Sequence, residues 1–374
     1  MRHLHIKSEW LLAASVVVST AVLTLLAIRW LAPQLLGIPL DLQLVQSGKM
    51  VPTFFDGVFR DKDYASDELL LKDPVTNVRS RPSLQESSGT GPHDILGFRN
   101  TSIPNQPDVI VIGDSQTYGT GEPIGNTWPS QLSTQLGGTN TTVYSMAVGG
   151  WGATQYLHLA SVAVKLRPRT LIIAFYSGND ALESFASAYG NSHWSSLQPD
   201  NTLDKADVPA ISNLLDVDKS WPVSFPGSGS IVFTPEGRLA SNSDHPAVHA
   251  GYAIMAEAAR RIAALAALQD AAVVFTVIPT RELVYAQKVI DEGFSPPESY
   301  TQLVEMERRH VDLLADRIQS ISGVSYVNLV TPLQSAALGK ELLYPRQWDG
   351  HPGAAGYRVI ASALAPSVRE ILAR

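Results

Sequence analysis

The sequence predicts an α/β domain built on a five-stranded parallel sheet with helices on both faces. Three observations predict it. After residue 107 the chain carries five short, almost continuously apolar runs, the pattern of strands buried on both faces. Stretches of helical periodicity separate these runs, and strands that alternate with helices form parallel sheets. Small polar or glycine-rich segments follow several of the runs, where open α/β sheets place their sites.

The first run is 108–113 (DVIVIG), closed by a glycine. Residues 126–136 read as a helix, with Thr127 as N-cap and Pro129 in the first turn. Residues 142–147 form the second strand and 153–166 the next helix. The third strand is 170–176 (TLIIAFY). Residues 183–244, rich in Ser, Asn, Asp, Pro and Gly, break the alternation and read as a long irregular insertion, a lid or binding flap. An Ala-rich helix over 246–268 leads to the fourth strand, 271–278. An amphipathic helix follows over 298–320, with Glu305, Glu307, Arg308 and Arg309 expected to face outward. The fifth strand is 324–330, and the last helix begins at Gly353.

The N-terminal part differs in kind. Residues 10–28 (WLLAASVVVSTAVLTLLAI) contain no charge and are long enough to cross a bilayer of about 30 Å as one helix. Arg2 and Lys7 precede the run, and Trp10 and Trp30 bracket it. The positive-inside rule then predicts a single-pass membrane protein, its N-terminus cytoplasmic and its main domain periplasmic or extracellular. The other reading is a cleaved signal peptide, but the run exceeds a usual apolar core and no A-x-A site follows it. The division expected is a cytoplasmic stub and anchor at 1–33, a linker or irregular wrap at 34–93, and the α/β domain at 94–374.

Composition narrows the chemistry. The chain has 374 residues, 45% of them hydrophobic, enough for a full core. It has no cysteine, which excludes disulfides, thiolate metal sites and a cysteine nucleophile. A net charge of −7 and the lack of a basic block argue against a nucleic-acid partner. His245 and His249 are four apart near a helix start, the spacing of a ligand pair. No carboxylate or third histidine at suitable spacing accompanies them, so they are expected to be solvated surface histidines that hold no metal.

The segments at the strand ends carry the reactive residue types. After the first strand comes Gly113-Asp114-Ser115, which sets a hydroxyl at the start of a turn. After the second comes Gly149-Gly150-Trp151-Gly152, where backbone can approach a ligand closely. After the third comes Ser177-Gly178-Asn179-Asp180, whose Asn amide offers two donors. Beyond the fifth comes Trp348-Asp349-Gly350-His351, in which a carboxylate can orient an imidazole. Each has a plain structural reading: Ser115 as a helix cap, the glycines and Gly-Asn-Asp as turns, Asp349 as part of a helix N-terminus. Their joint occurrence after strands of one sheet favours a site of nucleophile, base and oxyanion donors.

With these residues in view, GDSQTYGTG, VGGWG, SGND and DGHPGAAGY resemble the first, second, third and fifth blocks of the SGNH/GDSL hydrolases. The resemblance covers about residues 94–374. It implies a three-layer α/β/α fold, of SGNH-hydrolase or flavodoxin-like type. It also implies Ser115 as nucleophile and His351 as base, with Asp349 as the orienting acid. The oxyanion hole would be formed by the Ser115 and Gly150 N–H groups and the Asn179 side chain. Members use no cofactor. Three positions depart from the family pattern: Ser145 where the second block often has Asn, one residue rather than two between Asp349 and His351, and Gly353 after the His-Pro.

The function implied is a serine esterase acting outside the cytoplasm on an ester substrate, an acylated glycan or a lipid. Trp151 and Trp348, beside Gly150 and Asp349, are candidate stacking surfaces for a sugar, or else packing residues. Two other functions fit the same blocks. An O-acyltransferase modifying an exported polysaccharide would need a membrane partner protein to deliver its acyl donor. A glycan-binding module would keep the fold without the chemistry.

Overall fold

All five apolar runs are strands of one parallel sheet. In a computed structural model the described residues are 69–87, 89–209, 219–345 and 349–374, with Thr20 besides. Apart from Thr20 they belong to one compact unit spanning residues 53–374. The expected span at 10–28 lies outside the described residues. Among those described, no helix is long and apolar enough to cross a membrane.

The strands in chain order are β1 (Leu70–Asp73), β2 (Asn77–Ser80), β3 (Val109–Gly113), β4 (Val143–Ala147), β5 (Thr170–Tyr176), β6 (Trp221–Phe225), β7 (Gly229–Phe233), β8 (Ala272–Ile278) and β9 (Val324–Asn328). The central sheet has the order β4-β3-β5-β8-β9 and every neighbouring pair is parallel. β3 and β5 are buried along their whole lengths, which is why their sequences show no polar alternation. Because β4 and β5 flank β3 on opposite sides, the chain reverses its direction of growth there, and a crevice opens at the carboxyl ends of those three strands.

The helices are α1 (Ser115–Tyr118), α2 (Trp128–Gln135), α3 (Ala153–Ala163), α4 (Asp180–Gly190), α5 (Pro235–Leu239), α6 (Pro246–Ala267), α7 (Arg281–Asp291), α8 (Glu298–Gln319), α9 (Val330–Ala337) and α10 (Ala354–Leu372). Successive strand residues point to opposite faces, and the core divides accordingly. Val109, Val111, Ile172, Ala174 and Val274 pack with Trp128 and Leu132 of α2, Val284 of α7, Leu333 of α9 and Ile360 of α10. On the other face, Phe175 lies 5.7 Å from the ring of Tyr156 on α3 and 6.3 Å from Phe275. The expected helices at 153–166, 246–268 and 298–320 are present within a few residues of their predicted ends.

Three expectations need correction. The insertion is less irregular than its composition suggests. α4 runs through Gly190 because Leu182, Phe185 and Ala188 recur at helical spacing and are buried. β6 and β7 pair as an antiparallel hairpin whose Val223, Phe225, Ile231 and Phe233 face the core. The fifth strand stops at Asn328, whose Oδ1 accepts the Val330 N–H at 2.8 Å and so starts α9. Glu307 does not face outward. It shares the inner face of α8 with Leu303, His310, Val311 and Leu314 and is fully buried. There it accepts hydrogen bonds from Ser177 Oγ (2.5 Å), Thr280 N–H (2.8 Å) and Thr280 Oγ (2.5 Å).

The segment before the sheet is docked by side chains of the domain. Main-chain carbonyls of 74–78 accept from Asn191 Nδ2 (2.9 Å), Trp194 Nε1 (2.9 Å), Gln155 Nε2 (3.2 Å) and Trp151 Nε1 (2.7 Å). Farther on, Asn100 pairs both amide atoms with the Ser145 main chain, at 3.0 and 2.9 Å, and so occupies the outer edge of β4.

Burial pushes the Glu307 carboxyl up to about 7, against the bonds donated by Ser177 and Thr280. Raised in the folded state, this group contributes stability below its unfolded value near 4.5, and that contribution is lost as pH rises through about 7. Glu307→Gln removes the ionisation. The unfolding free energy of the variant, measured against wild type from pH 5 to pH 8, is expected to gain steadily with pH, by roughly 3 kcal/mol at most. A constant offset would show that Glu307 does not titrate in this window.

Candidate active site

At the crevice at the carboxyl ends of β3, β4 and β5, Ser115, Asp349 and His351 come together. β3 delivers Asp114 and Ser115. Asp114 is fully buried and caps α1, its Oδ1 accepting the Gln116 N–H at 2.9 Å. That cap turns the chain so that Ser115 is the first residue of α1 and only partly buried. The loop after β5 and the start of α10 lie at the same rim. His351 Nε2 is 2.8 Å from Ser115 Oγ, across a separation of 236 residues. His351 Nδ1 is 2.5 Å from Asp349 Oδ1, and the His351 N–H also donates to that oxygen at 3.1 Å. A carboxylate accepts, so Nδ1 carries the proton and Nε2 is left to accept from the serine hydroxyl. Asp114 Oδ2 is a poorer partner for that hydroxyl, at 3.4 Å.

The ends of β3, β4 and β5 each carry a polar group with no partner among the described residues. The first residue of a helix has no intrahelical partner for its N–H, and the Ser115 N–H has no acceptor among the described residues. Gly150, after β4, is exposed and has φ +76°, a left-handed conformation that any side chain would strain. Its N–H also has no acceptor among the described residues. The adjoining Gly149 sits close enough that a Cβ on it would be 3.6 Å from the Ser115 Cβ, which sets this loop against the hydroxyl. Asn179 stands at the N-cap position of α4 but makes no capping bond, and its Oδ1 is buried without a partner. The turn that holds it is fixed by Asp180, whose Oδ2 accepts the Tyr176 N–H at 2.9 Å. Asp114 and Asp180 are both raised, Asp114 to about 6. Burial is the main cause for each, and Asp114 adds to the effect on Asp180.

Of the two readings of Trp151, sugar surface or packing residue, its contacts fit packing. Trp151 is 1% exposed, packs edge-on against Phe98 at 6.4 Å and donates to Val78 O. An indole whose N–H can reach a main-chain carbonyl packs inward, and no face is left for a substrate. Trp348 lies outside the described residues. A cavity of about 330 Å³ opens beside β4, lined by Arg99, Tyr118 and Tyr144 among others, and takes in neither Ser115 nor His351.

Three arginines complete the site, and no spacing rule marks them in the sequence. Arg99 is 3% exposed, lies 4.9 Å from the Tyr118 ring centroid, and donates to carbonyls: Nε to Gly91 (2.7 Å), Nη1 to Tyr118 (3.1 Å) and Gly119 (2.7 Å), Nη2 to Glu122 (2.6 Å). It clamps the end of α1, and with it Ser115. Arg281, at the start of α7, donates to Asp349 O at 3.1 Å and holds the loop that carries Asp349 and His351. Arg238, from α5 of the insertion, reaches the rim itself. Its Nη1 is 3.4 Å from Gly178 O, and its guanidinium lies 5.7 Å from the Tyr176 ring centroid. A Cβ at Gly350 would come within 2.8 Å of Arg238 Nη2, so a side chain between Asp349 and His351 would push the guanidinium aside.

With this geometry in place, a family comparison gives the match. The model of the GDSL-like lipase/acylhydrolase family covers residues 111–359. The chain belongs to that family. Among solved structures, this GDSL-family chain is similar to that of TesA, at 14% identity, over 70% of this chain and 98% of that one, with a TM-score of 0.38. It is similar to a variant of the acetyl-xylooligosaccharide esterase Axe2 from Geobacillus, at 11% identity, over 71% and 96%, TM-score 0.39. It is also similar to a GDSL-like lipase from Bacteroides thetaiotaomicron, at 14% identity, over 70% and 87%, TM-score 0.33. Likenesses this loose carry no information on substrate. No curated protein matches the chain.

Arg281→Met removes the bond to Asp349 O while keeping an apolar stem of similar length. A shift of about 1 Å in reacting groups costs on the order of 10²-fold in rate. The variant is expected to keep its circular-dichroism spectrum and KM for a chromogenic ester and to lose kcat by about that factor. An unchanged kcat would show that the loop is held without it.

Proposed function

We propose that the chain is a serine esterase that hydrolyses an O-acyl ester through an acyl-Ser115 intermediate. The observation that carries this is the hydrogen-bonded series Ser115 Oγ, His351 Nε2, His351 Nδ1, Asp349 Oδ1, with separations of 2.8 and 2.5 Å. As Ser115 Oγ bonds to the ester carbonyl carbon, its proton passes to His351 Nε2, and Asp349 stabilises the imidazolium that forms. The carbonyl oxygen becomes an oxyanion that accepts from the Ser115 N–H, the Gly150 N–H and Asn179 Nδ2. Collapse breaks the bond to the alcohol oxygen, which leaves with the proton from His351. Water then gives a proton to His351, adds to the acyl carbon and frees Ser115.

The substrate proposed is an O-acyl group on an envelope carbohydrate, met by a domain held outside the cytoplasm. The uncharged run 10–28, with Arg2 and Lys7 before it, supports that location. Arg238 supports an alcohol portion rich in oxygen. Among the described residues its hydrogen bond at the rim is the long contact to Gly178 O, and a guanidinium is a fork of donors suited to hydroxyl or carboxylate oxygens.

Ser115→Ala is expected to abolish hydrolysis of p-nitrophenyl acetate and labelling by a fluorophosphonate probe. Wild-type turnover by that variant would end the assignment. Asn179→Ala is expected to lose about 10²- to 10³-fold in kcat, the usual cost of one oxyanion donor. Arg238→Ala is expected to raise KM for acetylated oligosaccharides while leaving p-nitrophenyl acetate unaffected. Product analysis with and without a sugar acceptor separates hydrolysis from acyl transfer.

A further inference from the structure

Outside the catalytic groups, three side chains from separate parts of the chain converge on one point. Asp244 ends the insertion, His249 lies in the first turn of α6, and His310 lies midway along α8. One ligand atom from each lies within 4.8 Å of the other two. His249 Nε2 is 3.6 Å from Asp244 Oδ1.

His310 is the informative member. It is 3% exposed, yet among the described residues neither ring nitrogen has a hydrogen-bond partner. Buried imidazoles are normally satisfied, so a ring held dry with both nitrogens unpaired points to a missing ligand. Its orientation is fixed by Tyr252, whose ring lies 4.7 Å away, and by His249 at 5.6 Å. Tyr252 does not serve as its partner, because the Tyr252 hydroxyl donates to Asn242 Oδ1 at 2.9 Å. His245 is committed elsewhere: its Nδ1 accepts the Ala247 N–H at 3.2 Å and caps α6.

We infer that Asp244, His249 and His310 bind one divalent transition-metal ion of the zinc type, with water completing a tetrahedral set. Two imidazoles and one carboxylate are donors that suit zinc, cobalt or nickel, whereas calcium and magnesium take oxygen ligands. Burial, helped by His249 and Arg309 and opposed by Asp244, pushes His310 down to about 4, so the ring is neutral at physiological pH, as a ligand must be. Arg309 now lies 3.3 Å from Asp244 Oδ1. It is 52% exposed and free to turn into solvent when a cation takes its place.

The sequence reading set a metal aside because it sought ligands near His245 and His249. The third ligand comes from another helix, and the carboxylate adjoins the histidine that does not ligate. An ion here ties the end of the insertion to α6 and α8. Asn242, two residues before Asp244, donates to Ser177 O at 3.0 Å, in the loop that carries Asn179. Metal binding at this place is separate from ester hydrolysis and stands whether or not Ser115 is the nucleophile.

The test uses the full chain, stripped with EDTA and titrated with zinc chloride by calorimetry and by thermal unfolding. One ion per chain is expected, with a rise in melting temperature that magnesium and calcium chloride do not reproduce. Cobalt chloride is expected to give the intense visible bands of a four-coordinate site. His249→Ala and Asp244→Ala, both at exposed positions, are expected to fold with the metal-free melting temperature of wild type and to lose about 100-fold or more in zinc affinity. His310→Gln is expected to abolish binding. If it does not fold, the two exposed variants still decide the matter. Zinc binding by those two variants as tight as wild type, or no stoichiometric binding by wild type, would overturn the inference.

Discussion

The hydrogen bond between Ser115 and His351 is the constraint around which the site is organised, since it joins chain positions 236 residues apart at 2.8 Å. It can form only if the carboxyl end of β3 and the start of α10 arrive at one rim. The parallel sheet supplies the first condition by aligning every strand end on the same side. The second is met by a set of tethers behind His351. Gly353 N–H donates to Leu343 O at 2.8 Å, Leu343 N–H to the Tyr285 hydroxyl at 2.9 Å, and Arg281 to Asp349 O at 3.1 Å. None of these groups touches a reacting atom, yet each removes a freedom that would let the imidazole drift from the hydroxyl.

The same logic explains the buried charges. Arg99 donates to carbonyls from three segments, so the segment before the sheet and the end of α1 are held as one piece. Removing such a group leaves several carbonyls unpaired in a dry interior, at about 1–3 kcal/mol each. Glu307 does for donors what Arg99 does for acceptors, gathering Ser177 and Thr280 from the ends of β5 and β8. Fixing loops this way is costly in desolvation. It places polar anchors where apolar packing alone would leave the loops unspecified.

What could be read from the sequence follows from how local each signal is. Buried parallel strands are continuous apolar runs, so all five were visible, and the residues just beyond them, Ser115, Gly150 and Asn179, came with them. Asp349 and His351 were visible because carboxylate and imidazole are two positions apart. Arg99, Arg238 and Arg281 were not, because their partners are main-chain atoms or ring faces that leave no mark in the sequence. Glu307 was misread because a charged residue on an amphipathic helix is ordinarily solvated, although its spacing from Leu303 and Val311 set it on the buried face. Trp151 was ambiguous for a physical reason: an indole is equally suited to a sugar and to a core, and only the Val78 carbonyl decides between them. In the insertion, frequent Ser, Pro and Gly masked an alternation that β6 and β7 do possess.

Arg238 enters the rim from the insertion, while the reacting groups stand on the sheet and on the approach to α10. On the proposed function, chemistry and recognition are encoded in separable lengths of polymer. Descendants of this chain could change which alcohol they accept by exchanging the insertion, leaving the machinery of bond breaking intact. Gly350 bears on such an exchange, because a side chain there would meet the Arg238 guanidinium.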